Sequence, residues 1–234
     1  MKKFFKDWNI FEILILVIGI SLIVVCFIIE KEKNILSFIT SIIGVVSVLF
    51  VAKGLTIAPI IDIVFCILYA LVSYFQKYYG EAIIYIAMIM PISLFSIFSW
   101  FKNKSKTNEN FVKINKIKGM EYLYLTFATI VLTIGFYFLL KALNTSQLIV
   151  STISLITSVV ASYLMLRRCS YYAIGFMLND IILIILWSMA IVESGWSYLP
   201  TVLSFCVFFI NDLYGFIHWK IQEKKQDNDI ALYP

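Results

Sequence analysis

FMLNDIILIILW, residues 176–187, sets an amide and a carboxylate, Asn179 and Asp180, inside an otherwise apolar run, with Trp187 seven residues beyond the acid. Seven residues make almost two turns of a 3.6-residue helix, so Asp180 and Trp187 share one face. An earlier stretch, IIDIVFCILY at residues 60–69, repeats that spacing from Asp62 to Tyr69. The two acids lie 118 positions apart, as do the two aromatics, and Trp100 and Trp219 lie 119 apart. A polar-plus-aromatic face that occurs twice inside apolar runs predicts an internal repeat.

The surrounding composition says where such runs can exist. Of 234 residues, 62% are hydrophobic, 17% aromatic and 14% charged, and the mean hydropathy is +0.93. A soluble domain cannot cover that much apolar surface, so the fold class is an all-α integral membrane protein. A span needs roughly 20 mostly apolar residues. Cutting the chain at its charged clusters leaves eight segments that qualify: 10–29, 35–52, 55–75, 82–101, 121–143, 148–166, 172–192 and 198–219. Outside them stand the tails and one loop, residues 102–118, with no room for a soluble catalytic domain.

Charge sets the orientation. With eight spans, one side holds Lys2, Lys3, Lys6, Lys53, the six lysines of 102–118, Arg167, Arg168, Lys220, Lys224 and Lys225. The other holds Lys31, Lys33, Lys77 and Lys141. Because cytoplasmic flanks carry the basic excess, both termini are expected in the cytoplasm of a multi-pass cell-membrane protein. The formal net charge of +5 is then an orientation signal and not a nucleic-acid footprint. The first apolar run is longer than a signal-peptide core and is followed by Glu30-Lys31-Glu32-Lys33 without a small-residue cleavage site, so it reads as a retained helix. Cys26, Cys66, Cys169 and Cys206 fall in or beside spans without C-x-x-C spacing and read as packing residues; no metal or cofactor is implied.

Along the chain, Glu12 is expected to snorkel to the interface, and the hydroxyl-rich second and sixth spans suit close helix packing. Asp62 lies about eight residues, roughly 12 Å, inside the third span. A carboxylate at that depth faces a watered cavity or accepts from a neighbouring helix's Ser or Thr, and Pro59 one turn earlier is expected to weaken the backbone ladder. Tyr74, Tyr78 and Tyr79 read as an interfacial belt, whereas Tyr69 is set apart by its repeat mate Trp187. Pro91 reads as a tolerated kink, and the loop 102–118, rich in Lys and Asn, as a flexible linker attracted to anionic lipid. The fifth span has no counterpart in the repeat. Three spans reverse direction, so two parallel three-span units need one linking helix between them.

The expected plan is therefore 1–33 as N-terminal tail and extra helix, 34–101 and 148–219 as three-helix units, 102–147 as loop and linking helix, and 220–234 as a cytoplasmic tail. In span seven, Tyr171, Tyr172 and Phe176 precede Asn179, Asp180 and Trp187, a set that can stack a flat ring and hydrogen-bond its edge, or form a structural polar pair among core aromatics. In span eight, Asn211, Gly215 and Trp219 share a stripe flanked by Asp212 and Tyr214, and His218 reads as an interface residue.

Three places in the sequence resemble the PnuC family of nicotinamide riboside transporters. They are Arg167-Arg168 with the aromatics, Asn179-Asp180 and Trp187 that follow; the run from Asn211 through Gly215 to Trp219; and Tyr78-Tyr79-Gly80 through Pro91 to Trp100. The resemblance implies a SWEET-like core, a homotrimer in the lipid bilayer with one pathway per protomer, and uptake by facilitated diffusion. It also implies a cytoplasmic nicotinamide riboside kinase that traps the substrate for NAD biosynthesis. The expected binding set is Asp62, Tyr69, Tyr172, Phe176, Asn179, Asp180, Trp187, Asn211 and Tyr214.

Where that family carries two tryptophans three residues apart before the span-seven asparagine, this chain reads Tyr171-Tyr172-Ala173-Ile174-Gly175-Phe176. Family members that carry thiamine, riboflavin or deoxynucleosides therefore remain alternatives. An intramembrane enzyme built on Asp62 with Asp180 lacks any accompanying G-x-S-x-G, H-E-x-x-H or metal cluster, and no G-x-x-x-x-G-K-[ST] is present for nucleotide hydrolysis. A sensor would need an output domain, and only KIQEKKQDNDIALYP follows Trp219.

Overall fold

Helix α1 (Ile10–Ile29) is followed by α2 (Ile35–Lys53), whose first turn is capped by Asn34 accepting from the Ser37 N–H at 2.9 Å. The computed structural model describes residues 8–29, 33–105 and 108–232. Helix α2 stops at Gly54, which takes the left-handed conformation at φ +72° that a Cβ would strain. Helix α3 (Ala58–Phe75) carries Pro59 in its first turn, where a missing N–H costs nothing. Pro59 therefore starts a helix and does not interrupt one.

The fourth span is continuous over 24 residues, Tyr79–Lys102. It begins as α4 (Tyr79–Ile83), widens into a π segment (Ile84–Ile89) and tightens again as α5 (Met90–Lys102). Pro91 cannot donate into the helical ladder, and the wide turn lies immediately ahead of it. Then come α6 (Gly119–Ala142), α7 (Leu148–Leu166), α8 (Tyr172–Ser194), a 3-10 turn (Trp196–Tyr198) and α9 (Leu199–Leu232). Eight helices among the described residues are long and apolar enough to cross a membrane, as the sequence predicts.

Helix α2 packs on α3 and α9, α8 lies between α7 and α9, and α5 meets α7. Small residues let these axes close. The site of a Cβ on Gly175 is 2.9 Å from the Cβ of Ala161, so α7 and α8 touch backbone to backbone. The serines of α2 and α7, among them Ser37, Ser41, Ser47, Ser151, Ser154, Ser158 and Ser162, are all buried in these seams. Helix α1 leans on α2 and α9, and α6 on α7. Their outer faces, such as Val17 and Ile18 on α1 and Phe127, Ile134 and Phe138 on α6, are exposed and apolar, as lipid-facing surfaces must be.

Four expectations meet a different arrangement. Glu12 does not snorkel: it is buried and ion-paired with buried Lys53 of α2, while its carboxylate also accepts from the Tyr214 hydroxyl at 2.6 Å and the Asn9 N–H at 2.8 Å. Tyr78 is not in an interfacial belt but wholly buried, its hydroxyl donating to the Leu186 carbonyl at 3.3 Å. The described part of the loop between α5 and α6, which leaves out residues 106–107, is held by backbone bonds, including Val112 N–H to Gly54 O at 2.8 Å and Asn115 N–H to Arg168 O at 2.9 Å. Finally, α9 does not end at the expected tail: it continues to Leu232 and docks on that loop, with Lys116 paired to Asp227 at 2.6 Å. We call this the basic end of the bundle, and the end carrying Gln76 and Ser194 the far end.

Candidate functional site

Two aromatic layers divide the interior. At the far end the Trp187 indole N–H donates to the Tyr69 hydroxyl at 2.7 Å, and the Trp187 ring packs edge-on to Tyr69 and Tyr78 with centroids at 5.8 and 5.4 Å. Gln76 donates to the Ser194 hydroxyl at 2.6 Å beside them. At the basic end Trp100 and Trp219 meet at 5.8 Å, with Tyr172 at 4.8 Å from Trp219. Their indole N–H groups donate to backbone carbonyls on the neighbouring helices, Trp100 to Met165 at 3.1 Å and Trp219 to Ala52 at 3.0 Å. Residues 118 or 119 positions apart therefore pack directly on each other in both layers.

Between the layers lies a cavity of about 40 Å³. Three carboxylates reach it, Asp62 from α3, Asp180 from α8 and Asp212 from α9, together with Asn179 and the rings of Phe65, Tyr85, Phe176, Phe205 and Phe208. Among the described residues no Lys or Arg lines it. Asp62 accepts from Ser93 of α5 at 2.5 Å and from Ser47 of α2 at 3.5 Å. Asp180 of α8 and Asp212 of α9 are both buried on this one cavity, with Asp180 Oδ2 lacking a hydrogen-bond partner, and two acids so placed in a low-dielectric interior disfavour a double negative charge. Ser93 precedes Asp212 by 119 positions, so at that spacing the first part of the chain carries a hydroxyl where the second carries a carboxylate.

Asn179 is oriented by α7. Its Oδ1 accepts from Thr157 and Ser158, both at 2.9 Å, with the Ser154 hydroxyl at 3.2 Å. The carbonyl oxygen is thereby saturated, which leaves the amide N–H donors for the cavity. Ser154 also reaches Glu81, at 3.2 Å from Oε2. Glu81 is fully buried and its Oε1 has no hydrogen-bond partner.

Four expected site residues thus line one space: Asp62, Phe176, Asn179 and Asp180. Tyr69 and Trp187 form the far layer, and Tyr172 belongs to the basic layer with its hydroxyl unpartnered. Asn211 is buried with both amide atoms unpartnered, and Tyr214 bonds Glu12 and, at 3.3 Å, the His218 Nδ1, away from the cavity.

A model of the family described as nicotinamide mononucleotide transporter matches residues 34–221, from just before α2 into α9. The chain belongs to this family, the PnuC family. The nicotinamide riboside transporter PnuC of Neisseria mucosa is 27% identical over 224 residues, 93% of this chain and 84% of the relative. The crystal structure of the vitamin B3 transporter PnuC matches with a TM-score of 0.83 at 25% identity, covering 95% of each chain. This PnuC-family chain is accordingly a multi-pass membrane transporter and not an enzyme.

Asp212, Glu81 and Tyr85 lie outside the binding set expected from the sequence, in which Asp212 figured only as a flank of the Asn211 stripe. Asp212 stands beside Asn211, and a buried acid in a membrane span was the signal that marks it. Glu81 sits two residues into α4, where sequence alone reads a span boundary.

Proposed function

We propose that the chain carries nicotinamide riboside into the cell by facilitated diffusion, binding it in the acidic cavity between two three-helix units, 34–101 and 148–219. A cytoplasmic kinase then traps the substrate by phosphorylation, which feeds NAD biosynthesis. The transporter works as a homotrimer with both termini in the cytoplasm. The observation that carries this reading is a cavity that the described residues line with three carboxylates, five aromatic rings and no basic group. Nicotinamide riboside has a positively charged flat ring, which aromatic faces and a carboxylate favour together. Asp62 and the Asp180–Asp212 pair supply the charge, Phe176 and its neighbours the faces, and Asn179 an amide donor for a polar edge.

At about 40 Å³ the cavity holds a few waters, not a nucleoside, for which pockets of ~300 Å³ or more are usual. Binding therefore parts the two units, and the aromatic layers at either end alternate as barriers. A second reading is supported by the same charge: thiamine also carries a cationic ring, whereas riboflavin and deoxynucleosides are neutral.

Uptake of labelled nicotinamide riboside into proteoliposomes without an imposed gradient tests the reading. The expected course is equilibration and no accumulation, with competition by thiamine weak and by riboflavin absent. Preferred thiamine uptake moves the substrate within the cationic class. Uptake of neutral nucleosides alone defeats the charge argument.

A further inference from the structure

Asn179 turns its amide N–H groups to the central cavity only while donors hold its carbonyl oxygen, and the groups that hold it are hydroxyls. Ser154, Thr157 and Ser158 share one face of α7, with their oxygens 3.2, 2.9 and 2.9 Å from Asn179 Oδ1. A hydroxyl carries one hydrogen and two lone pairs. It can donate to the amide oxygen or, with the amide turned over, accept from the amide nitrogen. Thr157 also has a second acceptor for its hydrogen, the Ser154 carbonyl at 3.0 Å. Three hydroxyls therefore give the amide no fixed direction by themselves. The direction has to come from the group behind them.

That group is Glu81. Gly80 presses the start of α4 onto α7: the site of its Cβ is 2.9 Å from the Ser151 Cβ, and its N–H donates to Thr145 Oγ1 at 3.0 Å. Glu81, the next residue, is fully buried, with Oε2 at 3.2 Å from the Ser154 hydroxyl and Oε1 unpartnered. It stands behind Asn179, outside the cavity lining. Ser154 thus lies 3.2 Å from two oxygens, Glu81 Oε2 and Asn179 Oδ1, with one hydrogen to give. An ionised Glu81 can only accept, so it would draw that hydrogen and turn the Ser154 lone pairs on the Asn179 oxygen. The neutral acid instead donates to Ser154, and Ser154 passes its own hydrogen to Asn179. Oε1 is then the carbonyl oxygen of an acid, and a neutral orphan costs less than a charged one. Among the described residues no Lys or Arg pairs with Glu81, and a carboxyl buried without a counter-charge is far cheaper as the acid.

We propose that Glu81 is a positioning residue for recognition: as a neutral acid it acts through Ser154 to hold the Asn179 amide with its N–H groups on the cavity, so that a bound ring must carry a hydrogen-bond acceptor. The proposal rests on the transport reading above and deepens it. The ring is chosen by its charge, and the group attached to the ring by this relay.

Equilibrium binding to the purified full-length protein tests it with three cationic ribosides. They are nicotinamide riboside and the two analogues in which an acetyl group, acceptor only, or an amino group, donor only, replaces the carboxamide. Wild type is expected to bind the acetyl riboside within about threefold of nicotinamide riboside and the amino riboside about tenfold or more weaker, because the Asn179 amide then finds no acceptor. Glu81→Gln, whose amide nitrogen donates to Ser154 without a charge, is expected to keep that selectivity. Glu81→Leu, and Ser154→Ala, which cuts the relay and leaves Glu81 in place, should lower the preference for acetyl over amino to about threefold or less. Both should still bind nicotinamide riboside, whose carboxamide can accept or donate. A wild type that binds the acetyl and amino ribosides alike, loss of the preference in Glu81→Gln, or its persistence in either Glu81→Leu or Ser154→Ala overturns the relay and leaves the central site standing. Absence of binding of all three ribosides by folded wild type overturns the transport reading and the relay with it.

Discussion

Lys53→Met breaks the ion pair that fastens α1 to the bundle, and the structure sets the size of the effect. Both partners are nearly inaccessible, with 3% and 2% of the Lys53 and Glu12 side chains exposed. Removing one partner of a buried pair leaves an uncompensated charge and costs about 3–5 kcal/mol. Glu12 keeps donors in the Tyr214 hydroxyl and the Asn9 N–H, which places the loss toward the lower figure. Replacing both residues in Glu12→Leu/Lys53→Met removes both charges and takes the acceptor from the Asn9 N–H and from the Tyr214 hydroxyl, which retains His218, at about 1–2 kcal/mol. The double variant is therefore expected to be more stable than either single one. At roughly 2–4 °C per kcal/mol, Lys53→Met should melt on the order of 10 °C below wild type.

The assay is built into the chain: Cys66 and Cys169 are buried and free, so a thiol-reactive dye reports unfolding as they become exposed. A Lys53→Met melt indistinguishable from wild type, or a double variant as unstable as the sum of the singles, refutes the argument.

Two further outcomes follow from the layers and the seams. Trp187→Phe and Tyr69→Phe each break the 2.7 Å bond of the far layer and are expected to destabilise by about 1–3 kcal/mol. In the same thiol melt the double variant should fall close to the singles; full additivity would show that the bond is not shared. Gly44→Ala is expected to reduce uptake severely at a stability loss of about 1–3 kcal/mol, because its Cβ would stand 2.4 Å from Phe208 and 2.8 Å from Phe65, both on the central cavity. Normal proteoliposome uptake by the folded variant contradicts that.

The eight spans were legible because length and hydropathy alone decide them, and their ends moved by only a few residues except in α9. The 118-residue spacing was informative in an unexpected way. Tyr69 and Trp187 read as two equivalent positions, and the structure makes them partners of each other. What stayed hidden depends on which helix lies next to which. Glu12 obeys the snorkelling rule for a lipid-facing helix, but Lys53 of α2 stands beside it, 41 positions away. The loop after α5 looked flexible from its Lys and Asn content, whereas backbone bonds to Gly54 and Arg168 tie down its described residues, and backbone bonding leaves no trace in composition. Asp212 seemed a flank of the Asn211 stripe until α9 packing on α8 brought it to the same cavity as Asp180.

That pair gives the most direct test of an acidic cavity made for a cationic ring. Two acids on one small cavity carry one negative charge if they hold one proton between them, and an asparagine amide can stand in for the protonated partner. Calorimetric binding of nicotinamide riboside should therefore change by no more than about threefold in Asp180→Asn or Asp212→Asn alone. In the double variant it should fall by about a hundredfold, since one unit charge at roughly 6 Å and an effective dielectric of about 20 is worth about 3 kcal/mol. Undiminished binding by a folded Asp180→Asn/Asp212→Asn protein would contradict the account: the carboxylates would be structural, and the cationic substrate would be bound somewhere else.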